Sequence, residues 1–345
     1  MTSMGIVSTG TYFPETFITS AEISAQSGIP EWAVIEKLGI KRKYVYDPKV
    51  QPNEMAVLAA KKAIKKANID PLEIDVVLGT TEEWREYLLW TTAIDLAYEV
   101  GAKRAWGIDI HARCATTVAA LKMARSLMAD DPSINTILIG GGYATSEFID
   151  LADLDTSFMF NIGTGAGAII VKRDWPENQV LGSHIIADGY MSRHVIVPAS
   201  GSQQHPTDKE VANGGYKFRL VEPEKMKTRL GEVSIDKWLE CVDKSLELSG
   251  LKDDGSIYTR ADIDFLNMAL VKPSAHREIL NHLGLTEEQS IYLSTVGHIG
   301  EQDAIINIEA GIEQGRLRPG TTMAILAAGI GYTWAAAIVR WGPCK

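Results

Sequence analysis

Residues 105–128 read AWGIDIHARCATTVAALKMARSLM: a short apolar run, a cysteine, and then a stretch with helical spacing of its apolar residues. The run at 105–110 predicts a buried strand, and the spacing over 117–128 predicts a helix. Cys114 therefore falls where a strand passes into a helix. Open α/β sheets place their chemistry at such carboxyl ends of strands.

The same alternation continues along the chain on both sides of this unit. Further strands are predicted at 4–7, 74–78, 136–139, 168–171 and 180–187, and further helices at 54–67 and 93–100. Strands that alternate with helices of this length predict an α/β fold, with a largely parallel, buried sheet covered on both faces.

The second half of the chain repeats the order of the first. A helix at 238–248 leads into an apolar strand at 265–271, as the helix at 59–67 leads into the strand at 74–78. We interpret this pattern as a duplicated β/α unit. The boundaries that it predicts are an N-terminal half at 1–173, a linker and surface excursion at 174–233, and a C-terminal half at 234–345.

The duplication relates Cys114 to His298. Cys114 lies 13 positions after Gly101, and His298 lies 14 positions after Gly284, in each case beyond a helix and an apolar run. If a pseudo-twofold axis relates the two halves, these two side chains occupy equivalent corners of the molecule.

Composition excludes several functional classes. The 345 residues carry a net charge of −10, with 34 Lys and Arg against 44 Asp and Glu, so no nucleic-acid partner is expected. No apolar run approaches the ~20 residues that span a bilayer, and the N-terminus lacks the layout of a signal peptide. Three cysteines do not make a disulfide framework. We expect a cytoplasmic protein with no membrane association and no metal site.

Cys114 is the candidate nucleophile. Unpaired N–H groups at a helix N-terminus favour the thiolate, and exchange of one thioester for another is nearly neutral in energy, which suits cysteine to acyl transfer. On spacing alone, a buried structural cysteine is the alternative. Cys241 lies within a predicted helix and Cys344 near the end of the chain, so we expect neither to react.

Two glycine-rich turns accompany the cysteine. The turn at 163–167 lacks the spacing of a dinucleotide fingerprint, and a strand follows where that fingerprint needs a helix. The turn at 329–331 precedes an aromatic stretch. Its Ile330 backbone N–H, together with that of Cys114, could bind the oxyanion of a thioester undergoing attack.

The stretches 109–116, 163–168 and 329–334 resemble the thiolase superfamily, most closely its β-ketoacyl-acyl-carrier-protein synthase III branch, and the resemblance covers essentially the whole chain. It implies a thiolase-like five-layered αβαβα fold of two duplicated halves and a homodimer. It also implies an acyl-enzyme on Cys114, loaded from a coenzyme A or acyl-carrier-protein thioester that serves as substrate, with no resident cofactor.

The resemblance further implies residues that bind coenzyme A. Trp32 matches the tryptophan that packs on the adenine, and Lys37 falls near the basic residue that accompanies it. The arginine expected near Thr156 is missing. The strand 136–139 is apolar throughout, and we expect it to pair the two subunits at a sheet edge.

The chain departs from the Cys-His-Asn triad of this family. Ala269 stands at the histidine position, and His298 stands at the asparagine position. Loss of one oxyanion donor makes decarboxylative condensation doubtful, whereas acyl transfer needs a thiolate, an oxyanion hole and one base. We predict that His298 is this base, acting on the acceptor after Cys114 is acylated. Glu301 and Asp303 follow it and could orient it.

Three functions are consistent with these residues. The leading one is an acyltransferase or condensing enzyme that passes the acyl group to a carbon, oxygen or nitrogen acceptor or to a second thioester. An alternative is condensation like that of hydroxymethylglutaryl-coenzyme A synthases. The glutamate of those enzymes aligns with Thr81, and a shift of one residue would make it Glu82. A third reading, of a different class, is a non-catalytic partner subunit.

Overall fold

The computed structural model describes residues 2–344. The strands of these residues are β1 (Met4–Tyr12), β2 (Phe17–Thr19), β3 (Arg42–Tyr44), β4 (Val76–Gly79), β5 (Trp106–Asp109), β6 (Thr136–Tyr143), β7 (Gly165–Arg173), β8 (Glu177–Ala187), β9 (Val195–Ile196), β10 (Arg219–Leu220), β11 (Phe265–Met268), β12 (Thr322–Gly329) and β13 (Thr333–Pro343). The helices are α1 (Ser20–Ser27), α2 (Glu31–Glu36), α3 (Pro52–Ala67), α4 (Thr92–Glu99), α5 (Thr116–Asp130), α6 (Asp208–Ala212), α7 (Pro223–Glu247), α8 (Pro273–Leu283) and α9 (Asp303–Glu313). Within this part of the chain, none of the helices has both the length and the apolar character that a membrane crossing requires.

Nine strands form one mixed sheet in the order β11-β12-β13-β8-β1-β7-β6-β4-β5. The two halves of this sheet join through a single residue pair, Gly5 with Gln179, between β1 and β8. Three of its neighbouring pairs are parallel, namely β11 with β12, β4 with β5 and β4 with β6, and the others are antiparallel. The prediction of a largely parallel sheet is therefore wrong. The last strand of each half runs back antiparallel to the strand before it, which periodicity along the sequence does not reveal.

The strands alternate their side chains between two cores, as the pleat of a strand requires. On β6, Ile137 and Ile139 face a central layer that contains α5 and α9, whereas Leu138 faces α3 and α4. On β12, Ile325 faces the same central layer, whereas Leu326 faces α7 and α8. The order across the molecule is thus helices, half-sheet, helices, half-sheet, helices, which is the five-layered arrangement.

The order of elements repeats in the two halves. The first half runs β1, α3, β4, α4, β5, α5, β6, β7, and the second runs β8, α7, β11, α8, α9, β12, β13. The counterpart of β5 is reduced to one parallel bridge between Leu266 and Ser290. Both central helices, α5 and α9, begin just after the residues singled out in the sequence, Cys114 and His298.

The predicted linker at 174–233 contains part of the sheet. Strand β8 lies within it and pairs with β13, so the segment outside the repeated order starts after Ala187. The segment from there to α7 holds the two-stranded β9–β10 sheet and the short helix α6. The strand predicted at 180–187 falls within β8, so the strand itself was found, and only the boundary at 174 assigned it to the linker.

The predicted dimer strand is not at an edge. Strand β6, which contains residues 136–139, lies between β7 and β4 and is buried along its whole length. A strand that is apolar throughout is typical of the interior of a sheet. The edges of the large sheet are β5 and β11.

Candidate active site

Cys114 lies in a 3-10 turn, Arg113–Ala115, that leads directly into α5. Arg113 has a φ of 56°, which is uncommon for a residue with a side chain and is typical of sharp turns at functional sites. The Thr116 hydroxyl accepts a hydrogen bond of 2.7 Å from the backbone N–H of Ala112 and closes the turn.

Gly329, at the end of β12, packs directly against this turn. A Cβ at Gly329 would overlap the carbonyl oxygen of Ala112 and would approach the Cβ of Arg113 to 2.7 Å and the backbone nitrogen of Cys114 to 3.2 Å. Ile330 follows it, so the second glycine turn lies beside the nucleophile, where the sequence predicts it. Only glycine leaves room for the two turns to meet.

His298 and Cys114 come together although 184 positions separate them in the chain. The Nε2 of His298 lies 3.0 Å from the Sγ of Cys114. The backbone of His298 is fixed on both sides: its N–H donates to the carbonyl of Asn161 at 2.7 Å, and its carbonyl accepts from the N–H of Gly163 at 2.8 Å. The imidazole is therefore positioned by the sheet-like segment that precedes β7.

Asp303, the first residue of α9, binds the other imidazole nitrogen. Its Oδ2 lies 2.5 Å from His298 Nδ1 and also accepts from the Leu270 N–H at 2.7 Å, while Oδ1 accepts from the Ile299 N–H at 2.7 Å. Three backbone and side-chain donors thus hold one carboxylate, next to the position where Ala269 replaces the expected histidine. The result is a Cys-His-Asp chain of contacts.

The environment of His298 favours the imidazolium. Burial lowers the pKa of His298, but the Asp303 carboxylate, the Cys114 sulfur and the hydrogen bonds to both more than offset it and raise the pKa well above 6.5. A thiolate paired with an imidazolium is the reactive form of a catalytic cysteine.

Glu82 and Glu301 are both buried beside this chain of contacts, with exposed fractions of 3% and 1%. Glu82 Oε1 accepts from the Thr116 hydroxyl at 3.3 Å. Glu301 Oε1 accepts from the Gln302 amide at 2.6 Å, and within residues 2–344 its Oε2 has no hydrogen-bond partner. Glu301 forms no hydrogen bond to His298 in this part of the chain, so the orienting carboxylate is Asp303.

Burial raises the pKa of both carboxyl groups. For Glu82 burial outweighs the opposing effects of Arg113, the Thr116 hydroxyl and His298, and the pKa rises to about 7. For Glu301 burial and then the proximity of Glu82 raise the pKa well above 4.5. With a pKa of about 7, the Glu82 carboxyl group can exchange protons at physiological pH.

Tyr143 is a site residue that the sequence analysis missed. It ends β6, and its ring centroid lies 6.5 Å from that of His298. Burial, the Cys114 sulfur and the two glutamates raise the pKa of Tyr143 well above 10, so its hydroxyl stays protonated. Its position at the carboxyl end of a central strand, directly after Gly140–Gly142, is the signal that could have identified it.

Other residues named from the sequence lie apart from these contacts. Trp32, on α2, is 58% exposed, and Lys37, at the end of α2, is also exposed. His276 is buried on α8 and contacts the Ser290 hydroxyl at 3.1 Å. Burial lowers the pKa of His276 to about 4, which keeps it neutral. Within residues 2–344, no group of three or more His, Cys, Asp and Glu side chains is arranged to hold a metal ion.

Comparisons with known proteins agree with this architecture. The family models for 3-oxoacyl-[acyl-carrier-protein] synthase III and for its C-terminal region match residues 108–189 and 255–341. A β-ketoacyl-[acyl-carrier-protein] synthase III of Desulfitobacterium hafniense is 26% identical over 349 residues, which cover 99% of this chain and 98% of that relative.

Solved structures share the fold. The 3-oxoacyl-(acyl carrier protein) synthase III of Pseudomonas aeruginosa has a TM-score of 0.82 at 21% identity, over 99% of each chain. A variant of OleA from Xanthomonas campestris, solved with lauric acid and lauroyl-CoA, has a TM-score of 0.79 at 17% identity, over 98% of this chain and 99% of that one. The layers and these matches together show that the chain belongs to the thiolase superfamily, as an acyl-thioester acyltransferase of the β-ketoacyl-acyl-carrier-protein synthase III type.

Proposed function

We propose that Cys114 takes an acyl group from a coenzyme A or acyl-carrier-protein thioester and that His298, held by Asp303, controls its transfer to an acceptor. The observation that carries this proposal is the continuous contact from Cys114 Sγ through the imidazole to Asp303 Oδ2. The names of the relatives and the lauroyl-CoA bound to the OleA variant support a thioester donor.

In the first half-reaction, the Cys114 thiolate attacks the thioester carbonyl, and the bond from that carbonyl to the donor sulfur breaks. The His298 imidazolium gives its proton to the departing thiolate. The backbone N–H groups of Cys114 and Ile330 are the proposed oxyanion donors, because their turns meet at Gly329.

In the second half-reaction, neutral His298 removes the proton from an O–H, N–H or S–H acceptor, which attacks the acyl-enzyme and releases the Cys114 sulfur. The direct contact with Sγ gives His298 a role in both half-reactions. From the sequence alone, His298 was expected to act in the second only. Asp303 stabilises the imidazolium in each step and fixes the orientation of the ring.

A second candidate function is carbon–carbon condensation of the hydroxymethylglutaryl-coenzyme A synthase kind. The Thr81 hydroxyl is engaged with the Gly142 N–H at 3.1 Å, whereas the Glu82 carboxylate lies beside the first turn of α5. Glu82 would remove an α-proton from the acetyl group on Cys114, and the resulting carbanion would add to the ketone carbonyl of a β-ketoacyl thioester, whose oxygen takes up a proton to become the alcohol. Water would then hydrolyse the bond to the Cys114 sulfur and release the product. The complete Cys-His-Asp chain argues against the non-catalytic partner subunit.

We also propose that coenzyme A docks against α2 and that the chain forms a homodimer. Trp32 offers an exposed aromatic face and Lys37 a cation on the same short helix, which suits an adenine and a phosphate. For the dimer we favour the edge strand β5, because its Trp106 and Ile108 side chains are exposed.

The test is incubation with a panel of acyl-coenzyme A thioesters, followed by intact-mass measurement and then by addition of alcohol, amine or thioester acceptors. An acyl adduct that Cys114→Ala abolishes supports the proposal. Discharge by alcohols or amines supports the first function, and discharge by acetoacetyl-coenzyme A with a new carbon–carbon bond supports the second. A protein that forms no adduct with any thioester would be the partner subunit instead.

A further inference from the structure

Glu82 and Glu301 are attached to the nucleophile helix by adjacent residues. The Thr116 hydroxyl donates to the Glu82 carboxylate, and the next hydroxyl, that of Thr117, donates to the backbone carbonyl of Glu301 at 2.6 Å. The Gln302 amide donates both to Glu301 Oε1 and to the Thr80 hydroxyl at 3.0 Å, two residues before Glu82. Both glutamates are therefore tied to the first turn of α5, next to Cys114.

The two cations that act on Glu82 already have acidic partners. Arg113 forms an ion pair with Glu83, and the His298 imidazole contacts Asp303. The Oε2 of Glu301, with a side chain that is almost completely buried, has no hydrogen-bond partner within residues 2–344. An anion placed beside these residues would meet two carboxyl groups and the Cys114 sulfur, with both cations paired.

We propose that Glu82 and Glu301 are specificity-determining residues, which select an acceptor without a negative charge at its reacting end and reject a malonyl-type carboxylate. This inference rests on the proposed acyl transfer through Cys114. Like charges in a buried site repel strongly because little water screens them. The rejection is thus distinct from the loss of a catalytic donor at Ala269, since it acts on binding.

The rejection also depends on pH. With a pKa of about 7, Glu82 is largely neutral at pH 6 and largely ionised at pH 8. Arg113 and His298 favour the ionised form of Glu82. The other titratable groups nearby are Glu301, Cys114 and Tyr143, which are either neutral or negatively charged. Repulsion of a second carboxylate should therefore increase between these two pH values.

The test compares malonyl-coenzyme A with its methyl ester, two thioesters that differ in one charge. Binding of each to the Cys114→Ser protein is measured by calorimetry at pH 6 and pH 8, because this variant lacks the thiolate that exchanges thioesters. At pH 8 we expect the ester to bind at least about tenfold more tightly than malonyl-coenzyme A, which corresponds to about 1.4 kcal/mol. The ratio of the two dissociation constants should fall at pH 6. Equal binding of the two at pH 8 would overturn the proposal.

Charge-removing variants in the same background complete the test. Glu82→Gln should reduce the ratio at pH 8, and the double variant Glu82→Gln, Glu301→Gln should bring it close to one, whereas Glu288→Gln, at a side chain that is 86% exposed, should leave it unchanged. An unchanged ratio in Glu82→Gln and in the double variant would assign the selectivity elsewhere. Acylation of the wild-type protein by acetyl-coenzyme A is followed separately: no adduct refutes the proposed function, whereas an adduct without charge selectivity refutes this inference alone.

Discussion

Asp303 Oδ2 lies 2.5 Å from His298 Nδ1, and the same carboxylate oxygen accepts the backbone N–H of Leu270, the residue after Ala269. One side chain thus links the imidazole to the segment that follows β11. A carboxylate supports the single histidine at this site, where the family resemblance implies a Cys-His-Asn arrangement.

Cys114 should react with iodoacetamide far faster than Cys241. Cys114 lies at the start of α5 in contact with His298, whereas Cys241 is fully buried, and burial raises the pKa of its thiol to about 12. Peptide mass mapping over a time course would measure both rates. Comparable labelling of the two cysteines in the folded protein would contradict the assignment, and Cys344, which is partly exposed, serves as the reference thiol.

Replacement of His298 should slow both half-reactions. In His298→Ala no base is left to deprotonate the Cys114 thiol or the incoming acyl acceptor. We therefore expect each single-turnover rate to fall ~10²–10⁴-fold. His298→Asn should recover none of the proton transfer, because an amide does not accept a proton at these pH values. Acyl-enzyme formation that proceeds at the wild-type rate in both variants would show that the helix N-terminus alone activates Cys114.

Asp303→Asn should change how stability depends on pH. The pKa of His298 is raised in the folded protein above its unfolded value of about 6.5. Its stabilising contribution is therefore complete below pH ~6.5 and is lost as the pH rises through the folded-state pKa. Without the Asp303 carboxylate, the pKa of His298 in the folded protein falls. The stability that is lost at high pH then shrinks by about 1.4 kcal/mol for each unit by which this pKa falls. Urea unfolding from pH 6 to pH 10 measures this, and identical pH dependence in the two proteins would refute it.

Gly329→Ala should displace the nucleophile turn. The new methyl group has to move the backbone of Ala112 and the side chain of Arg113, at a cost of about 1–3 kcal/mol in the free energy of unfolding. We expect acylation to slow in the folded fraction as well. Gly201→Ala is the matched control, since a Cβ there meets no atom within 4 Å. Wild-type stability and acylation in Gly329→Ala would mean that the two turns are not in tight contact.

The edge strand β5 should form the dimer interface. Sedimentation should give about twice the 37.7 kDa of one chain. Charged substitutions at the exposed edge, Trp106→Asp and Ile108→Asp, should shift the protein to monomer because a buried apolar contact would have to accommodate a carboxylate. Ile257→Asp, at another exposed isoleucine, should leave the dimer intact. A monomeric wild-type protein at micromolar concentration would rule the interface out.

The sequence by itself determined the alternation of strands and helices and the pairing of Cys114 with His298. Both depend on local periodicity and on the repeated order of two halves, which a linear pattern records. The glycine turn at 329–331, singled out in the sequence, does contact the turn of Cys114 through Gly329. The sequence did not reveal the directions or the order of the strands. Pairing between segments sets the antiparallel return from β12 to β13 and the central position of β6.

Only the tertiary structure decided which of the carboxylates near His298 orients its imidazole. Glu301 lies in the 3-10 turn before α9 and Asp303 begins α9, yet Glu301 accepts from the Gln302 amide whereas Asp303 contacts His298. Tyr143 joins the site from a strand more than 150 positions before His298. These relationships depend on where the first turn of a helix points once it is packed between two half-sheets, and spacing along a chain does not carry that direction.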